Sequence, residues 1–210
     1  MLEQYDNSSL HFLLGISVIS ITLGHVSDSW LNPDCKFLHA IFLLLLDPLG
    51  SSLFIFLTSG LTIFLMKKKM GLIPSKSIRN LLMMRGLLLI GGGIASNFIL
   101  NASNPFPNNM WGWNLLMILG LGQLISYYLL KIARGFRVIL GLAIMFFTPQ
   151  MRDFLFIWKE SSILINILHF IFISPRPSFP LIPFMALLIF SSVFGEFLFE
   201  ASLIDSPRAY

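Results

Sequence analysis

The sequence predicts an all-α fold, a polytopic transmembrane helix bundle. Three observations predict it. Hydrophobic residues make up 56% of the 210-residue chain and charged residues 11%; mean hydropathy is +0.81; and several uncharged stretches reach the roughly 20 residues that a helix needs to cross a bilayer. Basic residues cluster at the ends of those stretches, so the formal charge of +4 reads as a topology signal and excludes nucleic acid as a partner. The single cysteine, Cys35, forms no internal disulfide and has no Cys/His cluster around it, which excludes a secreted disulfide scaffold and a zinc site; no metal is expected.

Taken in order, the first span covers about residues 8–27. Glu3 and Asp6 precede it, with no basic cluster and no small-residue cleavage site, so it is a retained span and not a signal peptide. The second runs over 48–66 and stops at Lys67-Lys68-Lys69. From Gly86 to Leu130 there is no charge, but the turn formers from Asn101 to Asn109 divide that stretch into spans at about 83–100 and 113–130. A fifth, at 134–149, is short and needs Arg134 or Arg137 as a snorkelling end. The sixth is 180–199. Two apolar segments, Phe37 to Leu46 and Ser161 to Ser174, are too short to span and are expected to lie along the interface.

Orientation follows from the loops. With a cytoplasmic N-terminus, Lys67, Lys68, Lys69, Lys76, Arg79, Arg85, Lys131, Arg134, Arg137 and Arg208 fall inside, against Lys36, Arg152, Lys159 and Arg176 outside. The sequence therefore predicts a multi-pass integral membrane protein, one domain over 1–210, with its N-terminus in the cytoplasm.

The outer side of this topology gathers His25, Asp28, Asp34, His39 and Asp47. His25 and Asp28 share a helix face, and imidazoles beside carboxylates at a dry, membrane-flanked place suit general acid/base work. Each has a structural reading as well. His25 and His39 suit interfacial anchors, and Asp47 before Pro48 suits a helix cap. On the inner side Lys76, Arg79 and Arg85 extend the lysine run into a basic ledge, explained either by the positive-inside rule or as a seat for the phosphates of a cytosolic donor. No phosphate-cradling glycine loop is present, and Gly91-Gly92-Gly93 reads as a surface for close helix packing. Glu196 and Glu200 share a face of the last span, with Glu200 expected at the interface and Glu196 deep enough to be a functional candidate; Asn97, Asn114 and Gln123 are expected to hydrogen-bond between spans.

The run Gly15 to His25 resembles the first span of the heparan-alpha-glucosaminide N-acetyltransferase catalytic-domain family. His39-Ala40, Asp47-Pro48 and Leu53-Phe54-Ile55-Phe56-Leu57-Thr58-Ser59-Gly60 resemble that family's His-to-Gly segment, with a shortened Asp-to-Pro spacing. Arg79 to Ile90, Trp111-Gly112-Trp113 and Phe179 to Phe184 are similar too. The resemblance implies a membrane acyltransferase that takes an acetyl or acyl group from acetyl-CoA on the cytosolic side and passes it to a sugar or amino-sugar acceptor on the other. It implies His39 as the catalytic histidine, aided by His25 and Asp47, and a donor site near Lys76, Arg79 and Arg85. Where the family carries L-D-x-x-R-G this chain reads Leu10-His11-Phe12-Leu13-Leu14-Gly15, without the carboxylate and the arginine. The relatives also continue for further spans, so a shortened or partial member is expected. The alternative is a non-catalytic membrane subunit or small-molecule passage. Membrane lipid and a second copy of the chain are the other partners expected.

Overall fold

The structure, a computed structural model, describes residues 8–30, 37, 40, 41, 44, 46, 48–107, 109–173 and 180–205. They form seven helices: α1 (Ser8–Trp30), α2 (Leu53–Lys69), α3 (Ser75–Leu100), α4 (Leu115–Leu129), α5 (Arg134–Trp158), α6 (Ile163–Phe172) and α7 (Leu181–Asp205). No β-strand occurs among the described residues. Five segments are long and apolar enough to cross a membrane: α1, α2 with the turn before it, α3, α5 and α7. The chain is a multi-pass, all-α membrane protein.

Three helices run further than the uncharged stretches suggest. α3 begins at Ser75, because Pro74 at its N-cap sets the backbone for a helix start, and so it carries Lys76, Arg79 and Arg85. α5 continues through Pro149 to Trp158. α7 continues to Asp205, so both Glu196 and Glu200 lie within it. Conversely α4 has 15 residues, about 22 Å of helix, shorter than the fourth span expected. Its wall is protein: Met117, Ile118, Leu119, Gly120 and Gly122 are all buried. Of the two expected interfacial helices, α6 is present as ten residues, while most of 37–46 lies outside the described residues.

With lipid as apolar as leucine, helices are held together by close packing and hydrogen bonds, and small residues mark where backbones meet. α2 crosses α7 at Gly60 and Gly195, where a Cβ on Gly195 would collide with the Gly60 carbonyl. α3 crosses α4 at Gly86 and Gly120, each lacking room for a Cβ. Of the triplet Gly91-Gly92-Gly93 only Gly93 packs, against Met117 and Asn114; the other two face open space, because a helix turns each successive residue by 100° and one face takes one of the three. α7 is the hub, packed on α2, α4, α5 and α6, with Ala186, Leu188, Ile189, Ser191, Ser192 and Val193 buried. Its serine hydroxyls donate back to Leu188 O and Ile189 O, so they bring no unsatisfied donor into the core.

The loop between α3 and α4 pins the far end. Asn97 Nδ2 donates to Gly112 O (2.7 Å), and Asn114 Nδ2 donates to Gly93 O (2.8 Å) and Asn97 Oδ1 (3.0 Å), while Asn114 Oδ1 caps α4 by accepting from Met117 N (3.0 Å). Gly112, at φ 152°, allows a backbone that sends both flanking indoles to α6: Trp111 Nε1 to Phe170 O (3.3 Å) and Trp113 Nε1 to Ile171 O (2.6 Å). Those carbonyls belong to the end of α6, where a helix leaves its acceptors unused. Before α2 the chain bends at Gly50 (φ −84°, ψ −108°) in a π-helical turn, Pro48–Ser52, and this turn packs against Ile21 of α1.

Candidate functional site

The ends of α2 and α7 and the start of α5 meet around one carboxylate. Glu196, 3% exposed, takes Lys67 Nζ on Oε1 (2.8 Å) and Arg134 Nε on Oε2 (2.8 Å), and Arg137, 1% exposed, donates Nη2 to the same Oε2. Arg137 also donates to Ser192 Oγ (2.8 Å) and to Ile132 O (3.1 Å). Arg134 Nη1 reaches Glu200 Oε2 (2.9 Å), and its Nη2 meets Glu200 Oε1. The helix dipole disfavours arginines at the start of α5, and pairing them with the carboxylates of α7 offsets that mismatch. With three cations around it Glu196 is not a base in waiting. Its arrangement is that of a fastening between three helices.

Beside this network, α2 and α3 part. Although consecutive, joined by the turn 70–74 through Gly71 (φ 103°), they scarcely touch along their backbones and lean instead on α4, with Ile63, Met66, Ile78 and Leu82 in a cluster flanked by Tyr127 and Leu130. The gap is a cavity of about 300 Å³ walled mainly by leucine, isoleucine and methionine, with Lys69, Ser77 and Arg85 as its charged and polar edge. Thr62 also lines it, but its hydroxyl accepts from Gln123 Nε2 (2.8 Å) and donates to Thr58 O (2.9 Å), so it is already engaged.

The donor-side residues named from sequence therefore separate. Arg85 is on the cavity wall; Lys76 is exposed on the first turn of α3, and Arg79 is half-buried with its Nε enclosed and without a hydrogen-bond partner. Lys69, which sequence reasoning left in the general basic ledge, also lines the cavity. At the opposite end, His25 is exposed on the closing turns of α1, beyond the level where Ile21 meets Gly50. Gly50 to Lys69 spans roughly 28 Å at helical rise, so His25 and the cavity lie at opposite ends of the bundle. His39 and Asp47 lie outside the described residues, as does the side chain of Asp28. Among the described residues no cluster of His, Cys, Asp and Glu is arranged to hold a metal.

Sequence reasoning missed the Glu196 network, although its signal was present: two carboxylates on one face of an apolar helix and two arginines three apart at the head of another are complementary charges in a medium that tolerates neither alone.

Fold and charged end together define a multi-pass helical membrane protein with a cation-edged cavity at its basic end. No protein-family model, curated protein or solved structure matches the chain.

Proposed function

We propose that this chain is an acyltransferase-like membrane domain of the heparan-alpha-glucosaminide N-acetyltransferase kind. It receives a CoA-borne acetyl or acyl group at its basic end and passes it to a sugar or amino-sugar acceptor at the other. The observation that carries the reading is the cavity between α2 and α3. It lies at the end where the resemblance implies the donor, with Arg85 on its wall, across the bundle from His25. The basic end is the cytoplasmic one in this reading, by the excess of Lys and Arg beside it.

In the transfer step the donor's thioester would reach across the bundle from the basic end, and the acceptor amine would attack its carbonyl. The carbon–sulfur bond breaks, a carbon–nitrogen bond forms, His39 takes the amine proton, and the CoA thiolate is protonated on release. His39 as transient acyl carrier is the other route. In this reading Asp47 or Asp28 would orient and charge-balance the imidazole, with His25 on the acceptor side.

The second reading is a non-catalytic subunit or passage. It is favoured by Leu10-His11-Phe12-Leu13-Leu14-Gly15, which lacks the family's acid and arginine, and by the saturation of Glu196, the deepest carboxylate among the described residues, with cations. The test is acetyl transfer by purified chain to glucosamine, with acetyl-CoA as donor. Turnover abolished by His39→Ala establishes the first reading; absence of turnover with a folded chain establishes the second.

A further inference from the structure

Two sets of cations at the basic end differ in what meets them. Lys67, Arg134 and Arg137 are matched by Glu196 and Glu200. For Lys69 and Arg85, on the cavity wall, no carboxylate pairs with either among the described residues. Arg85 lies well inside α3, roughly 15 Å from its first residue at helical rise. At the margin of the apolar stretch its exposed guanidinium is carried on a long stem to the aqueous edge, where an anion in the cavity would give it a charge-assisted partner. The fold supplies anions to the cations that fasten helices and supplies none to the two that face the cavity.

The rest of the wall names the ligand's other half. Leu65, Ile73 and Leu81 present apolar surface, and the hydroxyl of Thr62 is taken by Gln123 and Thr58. A free inorganic anion would leave that surface unused. At about 300 Å³ the cavity is at the lower bound of small-molecule sites, room for one chain.

We propose that the cavity between α2 and α3 binds a single-chain amphiphile, its phosphate held by Lys69 and Arg85 and its apolar tail laid against Leu65, Ile73 and Leu81. This rests on the same cavity as the donor reading but asks more of the ligand: acetyl-CoA satisfies the cations and leaves the apolar wall empty, whereas a long-chain acyl-CoA or a lysophospholipid satisfies both. The shared chemistry is a phosphate ester carrying one long chain.

The test places Ser77→Cys in a Cys35→Ser background, in phosphatidylcholine nanodiscs, and follows labelling of the new thiol by a water-soluble maleimide. Palmitoyl-CoA and lysophosphatidic acid are the probes for the two sources, with CoA and monoolein as the tail-less and phosphate-less controls. We expect labelling to slow about tenfold with one or both phosphate-bearing amphiphiles at about ten times their Kd, and far less with either control. The amphiphile that protects identifies the source. Protection should weaken in Arg85→Ala and Lys69→Ala, both exposed positions, and vanish in Leu81→Trp, which fills the cavity. Native mass spectrometry of the unmodified chain should show one bound amphiphile. Equal protection by CoA alone would overturn the tail requirement while leaving the acyl-CoA donor reading standing. Equal protection by monoolein, or none by any probe, would overturn the proposal outright.

Discussion

Arg137 and Glu196 form a buried ion pair that joins α5 to α7, with both side chains almost wholly enclosed. Removing one member of such a pair leaves the other's charge in a low-dielectric interior, at a cost of about 3–5 kcal/mol. Glu196→Ala should therefore lower the unfolding free energy by about that amount in detergent, read by thermal or denaturant unfolding. Glu200→Ala, at a partner nearly half exposed, should shift it far less. The double variant Arg137→Met with Glu196→Leu should be more stable than Glu196→Ala alone, since it leaves no buried charge behind. Equal losses for Glu196→Ala and Glu200→Ala would contradict the burial argument.

Gly195→Ala should destabilise the bundle by about 1–3 kcal/mol, because its Cβ meets the backbone of Gly60 and the Cβ of Ile63, neither of which can swing away. Gly91→Ala, in open space, should be neutral or mildly stabilising through helix propensity. Measured melting temperatures in the same detergent decide between this and a bundle insensitive to its glycine crossings.

His169 gives α6 a pH dependence. Partial burial, and then the nearby charge of Lys159, hold its imidazole below the ordinary value of 6.5. The unfolded or undocked helix thus binds a proton before the docked one does. Docking is fully favoured above 6.5 and weakens as pH falls from there toward the depressed folded value. Amide exchange across 163–172 should be faster at about pH 5 than the intrinsic pH effect on exchange allows, and His169→Gln should flatten that excess. A wild-type profile matching the His169→Gln variant would remove the role assigned to His169.

The excess of Lys and Arg at one end predicts that Cys35, in the segment between α1 and the Gly50 bend, faces the outside of the cell. An impermeant thiol reagent should label it on intact cells. Labelling only after permeabilisation would reverse the orientation.

Much of the bundle was legible because lipid leaves a strong compositional trace. Lys67-Lys68-Lys69 closes α2, and Asn101 to Asn109 separates α3 from α4. Reading stopped at charge, however, and helices do not. Arg79 and Arg85 look like the end of a loop in the sequence, yet they lie within α3, since guanidinium groups on long stems are carried by a helix wherever an aqueous edge, a cavity or a counter-charge receives them. The same habit hid the Glu196 fastening: partners 59 residues apart, Arg137 and Glu196, are brought together by helix packing that hydropathy does not encode. Only Arg85, of the three donor-side positions read from sequence, reaches the cavity, because 76 and 79 fall on other faces of the helical wheel from 78, 82 and 85.

The fastening at Glu196 also orders the birth of the molecule. Ribosomes deliver the chain from its N-terminus, so Lys67, Arg134 and Arg137 reach the membrane while their shared carboxylate is still unsynthesised. Until α7 arrives, Arg137 of α5 lacks its carboxylate and α2 has no backbone to cross at Gly60. The contacts that fasten α2 and α5 can form only once that last helix is in place. α7 is then the closing piece of biogenesis, and a ribosome stalled before Leu181 would leave a substrate for membrane quality control.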